Sequence, residues 1–386
     1  MTTGISTFSF PTRILFGAGS LGQLSKEIAR LAIRRPLLVV DRGIVKAGLA
    51  ERVTAAAPEL RFALFDAVDP NPVEKNISEG IAMYRSEGCD AVVAVGGGSP
   101  IDAGKLIRLG ITHSLALQEY DDQLDGGEKI SANLPPMIAI PTTSGTGSEV
   151  GRSAVVQLKA TNRKTVIFSP YLIVNVAIDD PELTLGLPPQ VTAGTGLDAL
   201  THNIEAYLAK GYHPMCDAIA LSGARLAYSN LPAAVRNGKD IVARTNMMMA
   251  SMMGAVAFQK GLGVTHSLAH PLSSVAGLHH GTTNGVLLPH VLEFNRSVSG
   301  DRLRDLAIAM QLDNGQMLTY DAGSALIQAI QRLLGEVGIP VHLSALGITR
   351  EMIPELSEKA MEDACHLLNP RPCTERDMTA LYERAL

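Results

Sequence analysis

Tryptophan is absent from this chain of 386 residues, aromatic residues reach only 4%, and charged residues only 18%. With 46% hydrophobic residues, the profile fits a well-buried soluble enzyme rather than a disordered or surface-binding chain. Long blocks of one charge are also missing. The net charge of −5 is spread over 33 basic and 38 acidic residues, so nothing tracks a phosphate backbone or an anionic membrane, and nucleic acid is excluded as a partner. Cysteine is scarce. Cys89, Cys216, Cys365 and Cys373 form no CxxC pair and are too few for a disulfide framework, which predicts reduced thiols. The longest strongly apolar run, Met247 to Phe258, falls short of the roughly 20 residues of a bilayer span and predicts a helix buried on all sides. The opening MTTGISTFSFPTRILFG lacks the basic start and apolar core of an export signal, so a cytoplasmic location without membrane association is expected.

The length suggests two domains. In the first half, short β-branched runs at 35–41, 61–65, 89–99, 135–143 and 171–179 alternate with helical patterns such as Pro72 to Ser86 and Pro100 to Leu109. Runs this apolar suit parallel strands covered on both faces, which predicts a doubly wound, Rossmann-like α/β domain. Beyond Leu187 the apolar residues take helical spacing, as in the stripe Leu197, Leu200, Ile204 and Leu208. A dinucleotide-binding domain over 1–187 and a nearly all-helical catalytic domain over 188–386 are expected, divided at the Gly-Leu-Pro-Pro break, with the cleft between them as the default site.

Two glycine runs compete for a pyrophosphate. GAGSLG, at Gly17, Gly19 and Gly22, matches GxGxxG and has Asp41 about 20 residues on. VVAVGGGSPIDAGK places Gly96, Gly97, Gly98 and Ser99 between the most hydrophobic strand and a helix expected to begin at Pro100. Either run can be a plain turn. The second lies at the carboxyl end of a buried strand, where open α/β sheets bind ligands, and is favoured. Asp41, past another strand, suits two ribose hydroxyls and repels a 2′-phosphate, which favours NAD over NADP. Thr142, Thr143 and Thr146 add hydroxyls on a loop after a further strand.

Asp198 and His202 stand four apart on one helical face; they can converge on one ion or simply share an i,i+4 hydrogen bond. His266, His270, His279, His280 and His290, half of the ten histidines, fall within 25 residues. Such density points to ligands or proton carriers. Imidazoles with one carboxylate suit Fe(II), Zn(II) or Ni(II), and spacing leaves open which histidines bind. No cysteine lies near them in sequence.

Taken in order, TRILFGAG, DPNP, GGGSPIDAGK, IPTTSGTGSE, GLDALTHNIEAY, the histidine cluster and NPRPCTERDMTALYERAL resemble the iron-containing (group III) alcohol dehydrogenases across essentially the whole chain. The family's relatives include glycerol dehydrogenase and dehydroquinate synthase. The resemblance implies a dehydroquinate synthase-like fold, NAD-linked interconversion of a small primary alcohol and its aldehyde, Fe(II) before Zn(II) or Ni(II), and a homodimer or larger homo-oligomer paired through N-terminal strands. It implies metal ligands Asp198, His202, His266 and His280, and a proton-relay role for His270. The cofactor contacts it implies are Asp41, Asn71, Gly97, Gly98, Ser99, Thr142, Thr143 and Lys164. His279 stands where many members have proline, beside His280. Arg152, just after the threonine loop, is a surface arginine, a structural ion pair, or the anchor for an anionic group such as the carboxylate of a semialdehyde. A zinc polyol dehydrogenase, a non-redox enzyme of the dehydroquinate synthase type and a silent NAD- and metal-binding protein are the alternatives.

Overall fold

In the structure, a computed structural model, residues 8–159 and 163–386 are described. Strands β1 (Arg13–Phe16), β2 (Pro36–Val39), β3 (Ala63–Phe65), β4 (Ala91–Gly96), β5 (Met137–Pro141), β6 (Ser153–Leu158), β7 (Arg163–Phe168) and β8 (Val176–Asp179) alternate with helices α1 (Leu24–Arg30), α2 (Arg42–Lys46), α3 (Leu49–Ala55), α4 (Glu74–Ser86) and α5 (Gly98–Thr112). Helices then take over: α6 (Pro189–Leu208), α7 (Pro214–Arg236), α8 (Ile241–Ala257), α9 (Val264–Ser274), α10 (His280–Ala309), α11 (Thr319–Glu336), α12 (Ile353–Met361) and α13 (Glu375–Ala385).

Six strands form a wholly parallel sheet in the order β1-β8-β5-β4-β2-β3. Leu38, Val40, Val93, Val95, Ile138 and Ile178 pack with Leu24, Ile28 and Val53 of α1 and α3. On the other face α5 comes so close that a Cβ on Gly104 would meet Ala94 at 2.9 Å. Both faces are covered, which is why the inner strands are apolar throughout rather than alternating. This is the parallel α/β fold with a helical carboxyl half that the sequence predicted.

Four local expectations need correction. Helix α5 begins at Gly98, with Gly97 as its cap, so Pro100 is its third residue. Proline is tolerated there because the first turn's N–H groups lack helical partners anyway. The run at 171–179 is strand only from Val176, since Ser169 Oγ accepts from Tyr171 N and folds Pro170–Leu172 into a 3-10 turn. An antiparallel hairpin of β6 and β7, pairing Val155 with Val166, was not foreseen. The fourth concerns helix α8, since helix α6 keeps its expected apolar stripe in the core and is buried from Thr192 to Leu208 at every position but Thr195. Helix α8, expected to be buried on all sides, leaves Thr245, Met249, Met253 and Val256 half-exposed along one line.

The chain divides into two compact units. One holds residues 11–143 and 147–186; the other holds 187–386 with 8–10 and 144–146. In the helical unit α6, α7 and α8 pack on one another, as α10 does on α6, α9 and α11. Ile241–Lys260 is long and apolar enough to cross a membrane by composition; here it is packed against α6 and α7.

Candidate metal and cofactor sites

Helices α6, α9 and α10 bring the four sequence-predicted metal residues together. From Asp198 Oδ1, the Nε2 atoms of His280, His202 and His266 lie 3.6, 3.7 and 3.9 Å away. Tetrahedral coordination at about 2.0–2.2 Å sets donors about 3.4 Å apart, so a small contraction satisfies an ion. Asp198, His202 and His266 are 3%, 5% and 1% exposed, a depth at which a carboxylate ringed by imidazoles is expensive without a cation.

The outward nitrogens of His266 and His202 are held. His266 Nδ1 lies 2.6 Å from Glu205 Oε2, and Glu205 is fixed by the N–H groups of Gly263 and Thr265. His202 Nδ1 lies 3.3 Å from the Gly145 carbonyl oxygen. A proton on each Nδ1 directs the Nε2 lone pair inward, as metal binding requires. Burial pushes His202 down to about 4 against the pull of Asp198, keeping it neutral. Burial also disfavours charge on His266, but the hydrogen bond and charge of Glu205 outweigh it and raise that group. Asn284, one turn after His280, donates from Nδ2 to Asp198 Oδ1 at 2.8 Å. The donor set therefore fits a borderline divalent ion.

His270 sits one turn beyond His266, stacked on His280 at 5.0 Å between ring centroids. Its Nδ1 is 2.7 Å from Asp363 Oδ2, and Asp363 also accepts from Ser267 Oγ and Cys365 N. Burial alone would raise Asp363, but His270 and these donors hold it well below the usual carboxylate range. Cys365 brings a thiol to this corner from far along the chain, its donor atom within 4.8 Å of those of His270 and Asp363; burial pushes that thiol up. Of the other clustered histidines, His279 caps α10, its Nδ1 accepting from Thr282 N. His290 is drawn down by burial and by His342 and Arg384, away from the ligand set.

In the sheet unit the strand order reverses between β2 and β4, the switch point where such sheets bind ligands. Asp41 follows β2 and Gly97 to Ser99 follow β4. Gly96, at φ 149°, turns the chain into α5, and a Cβ on Gly97 would stand 3.2 Å from Thr143 Oγ1. The start of the 15-residue α5 thus presents backbone N–H groups in a cradle without side chains, which suits a pyrophosphate. Ser99 Oγ donates to Pro70 O at 2.5 Å, next to Asn71. Thr142 N donates to Gly96 O. Lys164 on β7 pairs across the hairpin with Gln157, whose N–H reaches Pro72 O. Asp41 Oδ1 caps α2 through Ile44 N. The rival GAGSLG turn is taken internally: Gly19 N and Leu21 N both donate to the Asp180 carboxylate, where a phosphate would need them.

Arg152 is half-buried, with its guanidinium 5.2 Å from the Phe168 ring centroid. Its flanks are pinned by Lys105, whose Nζ donates to the carbonyls of Ser148, Gly151 and Ser153. Sequence reading missed Glu205, Asn284 and Asp363. The first two were accessible, lying three and four residues after a ligand on the same helix face; Asp363 carries no such signal.

Comparison with known proteins bears on the chain as a whole. The model of iron-containing alcohol dehydrogenases matches residues 11–181, and that of the C-terminal part of the Fe-containing alcohol dehydrogenase family matches 192–386. A 4-hydroxybutyrate dehydrogenase of Cupriavidus necator is 42% identical, the match covering 97% of this chain and 98% of the relative. The crystal structure of a 1,3-propanediol oxidoreductase superposes with a TM-score of 0.95 at 37% identity, over 99% of this chain and 100% of that one. A sulfoacetaldehyde reductase from Bifidobacterium kashiwanohense, solved with NAD+, gives 0.89 at 28% identity over 99% of each chain.

Proposed function

Because this chain belongs to the iron-containing alcohol dehydrogenase family and is an alcohol–aldehyde oxidoreductase, we propose that it works with NAD(H) and a divalent metal, Fe(II) before Zn(II) or Ni(II), on a small ω-hydroxy acid and its semialdehyde. The carrying observation is the convergence of Asp198, His202, His266 and His280, the first three buried, with Nδ1 of His202 and of His266 held outward. Asp198, His202, His266 and His280 would hold the metal, which would supply polarisation of the substrate oxygen, and a bound NAD(H) would supply the hydride acceptor or donor.

The chain's own residues do the rest. Glu205 and the Gly145 carbonyl keep the two imidazole ligands in one tautomer. Asp363 holds Nδ1 of His270, leaving Nε2 to take the alcohol proton and return it in the reverse direction. Gly97, Gly98 and Ser99 receive the pyrophosphate, with Asn71, Thr142, Thr143 and Lys164 around it. Asp41 receives the ribose hydroxyls and disfavours NADP. A homodimer or larger homo-oligomer would pair through β1, an edge strand of the sheet.

The acid substrate rests on Arg152, anchored beside the threonine loop, and on relatives whose names specify 4-hydroxybutyrate and sulfoacetaldehyde. Arg152→Ala should cut kcat/KM for succinic semialdehyde at least about 10-fold while leaving butanal nearly unchanged, a loss in line with one charge-assisted contact. Equal effects on both aldehydes would remove the anion-binding role.

A further inference from the structure

Asn284 lies at the centre of the ligand set, and nothing in its backbone setting requires an amide there. It stands four residues after His280 on α10, fully buried. Its Nδ2 is 2.8 Å from Asp198 Oδ1, 3.1 Å from His280 Nε2 and 3.3 Å from His266 Nε2. Its Oδ1 is buried without a hydrogen-bond partner. An amide so placed accepts the loss of one hydrogen bond in order to point its two N–H donors at three acceptors. Those acceptors are the atoms that an ion would draw together.

We propose that Asn284 is a positioning residue of the metal centre, whose amide fixes the Asp198 carboxylate and holds the ligand cluster in register for the ion. The proposal rests on the metal reading above. Three acceptor atoms crowded at this depth repel one another and are costly to leave unsatisfied. The amide relieves that cost before metal arrives. Once an ion takes the imidazole lone pairs, the bond to Asp198 Oδ1 remains and sets which carboxylate oxygen faces the metal. Residues that orient a ligand in this way commonly govern metal affinity as strongly as some ligands do.

The test compares wild type, Asn284→Leu and Asn284→Ala for Co(II) affinity, Co(II) visible spectrum and metal-free thermal unfolding. Leucine keeps the volume and drops the donors, so it separates packing from positioning. Both variants should lose about 10- to 100-fold in Co(II) affinity and show an altered ligand-field spectrum. Wild-type affinity and spectrum in Asn284→Leu would overturn the proposal. Should neither variant fold, a structure of Co(II)-loaded wild type decides: Nδ2 within hydrogen-bond distance of Asp198 supports the assignment, and a separation beyond it refutes it. Failure of wild type itself to bind Co(II) would instead refute the underlying metal reading.

Discussion

Single side chains at the metal centre do separable jobs. Asp363 touches no metal ligand in the Asp198 set; it orients His270 through a 2.7 Å bond to Nδ1. Asp363→Asn should leave metal content intact and lower kcat about 100-fold with little change in KM, because the wrong imidazole nitrogen then carries the proton. Unchanged kcat would reduce Asp363 to a packing role. Legibility also differs residue by residue. Asp198, His202, His266 and His280 are named by the family resemblance, whereas spacing alone leaves open which histidines bind. Glu205 sits three residues after His202 and seven after Asp198 on the same helix face, a spacing that offers it as a partner to the site. Asp363 reaches His270 from 93 positions away, and no local pattern announces such a partner.

At the scale of elements, the ligand geometry depends on how closely two helices approach. A Cβ on Gly281 would fall 2.1 Å from the Gly194 carbonyl oxygen and 2.9 Å from Asp198 Cβ, so α10 meets α6 backbone to backbone beside His280. Gly281→Ala should push α10 away, costing about 1–3 kcal/mol of stability and weakening metal binding; calorimetry with a metal titration reads both. Strand β8 carries the opposite kind of tension. Asp179 at its end is fully buried, and neither carboxylate oxygen has a hydrogen-bond partner among the described residues. Burial, then the nearby Glu149, raises it well above the usual range, and burial pushes Glu149 itself up to about 7. An acid with a raised folded-state pKa holds its proton more tightly when folded. Its contribution is intact below about pH 4 and is lost as pH rises toward the folded value. Asp179→Val should therefore raise stability at pH 8 by about 1–3 kcal/mol and flatten the decline between pH 5 and 8. A melting temperature at pH 8 no higher than wild type would contradict this.

The helices also show where periodicity misleads. Beside the apolar stripe of α6, Asp198, Thr201, His202 and Glu205 are polar yet buried, because each serves the metal centre or a helix bond. The methionine run made α8 read as wholly internal, though a line from Thr245 to Val256 stays half-exposed. Hydrophobicity cannot tell a polar face turned to water from one turned to a site. Hairpin β6–β7 escaped for a different reason: its alternation of half-buried and buried residues over Ser153–Leu158 is short and one-sided, next to the stronger apolar runs of the parallel strands.

For the molecule as a whole, two units carry two kinds of chemistry: a parallel sheet whose switch point suits a dinucleotide, and a helical unit whose buried imidazoles suit a divalent ion. Motif order along the chain points to both, and helix spacing offers Glu205 as well, while Asp363 emerges only from tertiary contacts. The measurement that bears most directly on the central claim is anaerobic NADH oxidation with succinic semialdehyde, using Fe(II)-loaded protein, chelated protein and chelated protein given Fe(II) again. Turnover by the loaded form, its loss on chelation and its return with Fe(II) are the predicted result. Equal turnover with and without metal, or none despite bound metal and NADH, would contradict it.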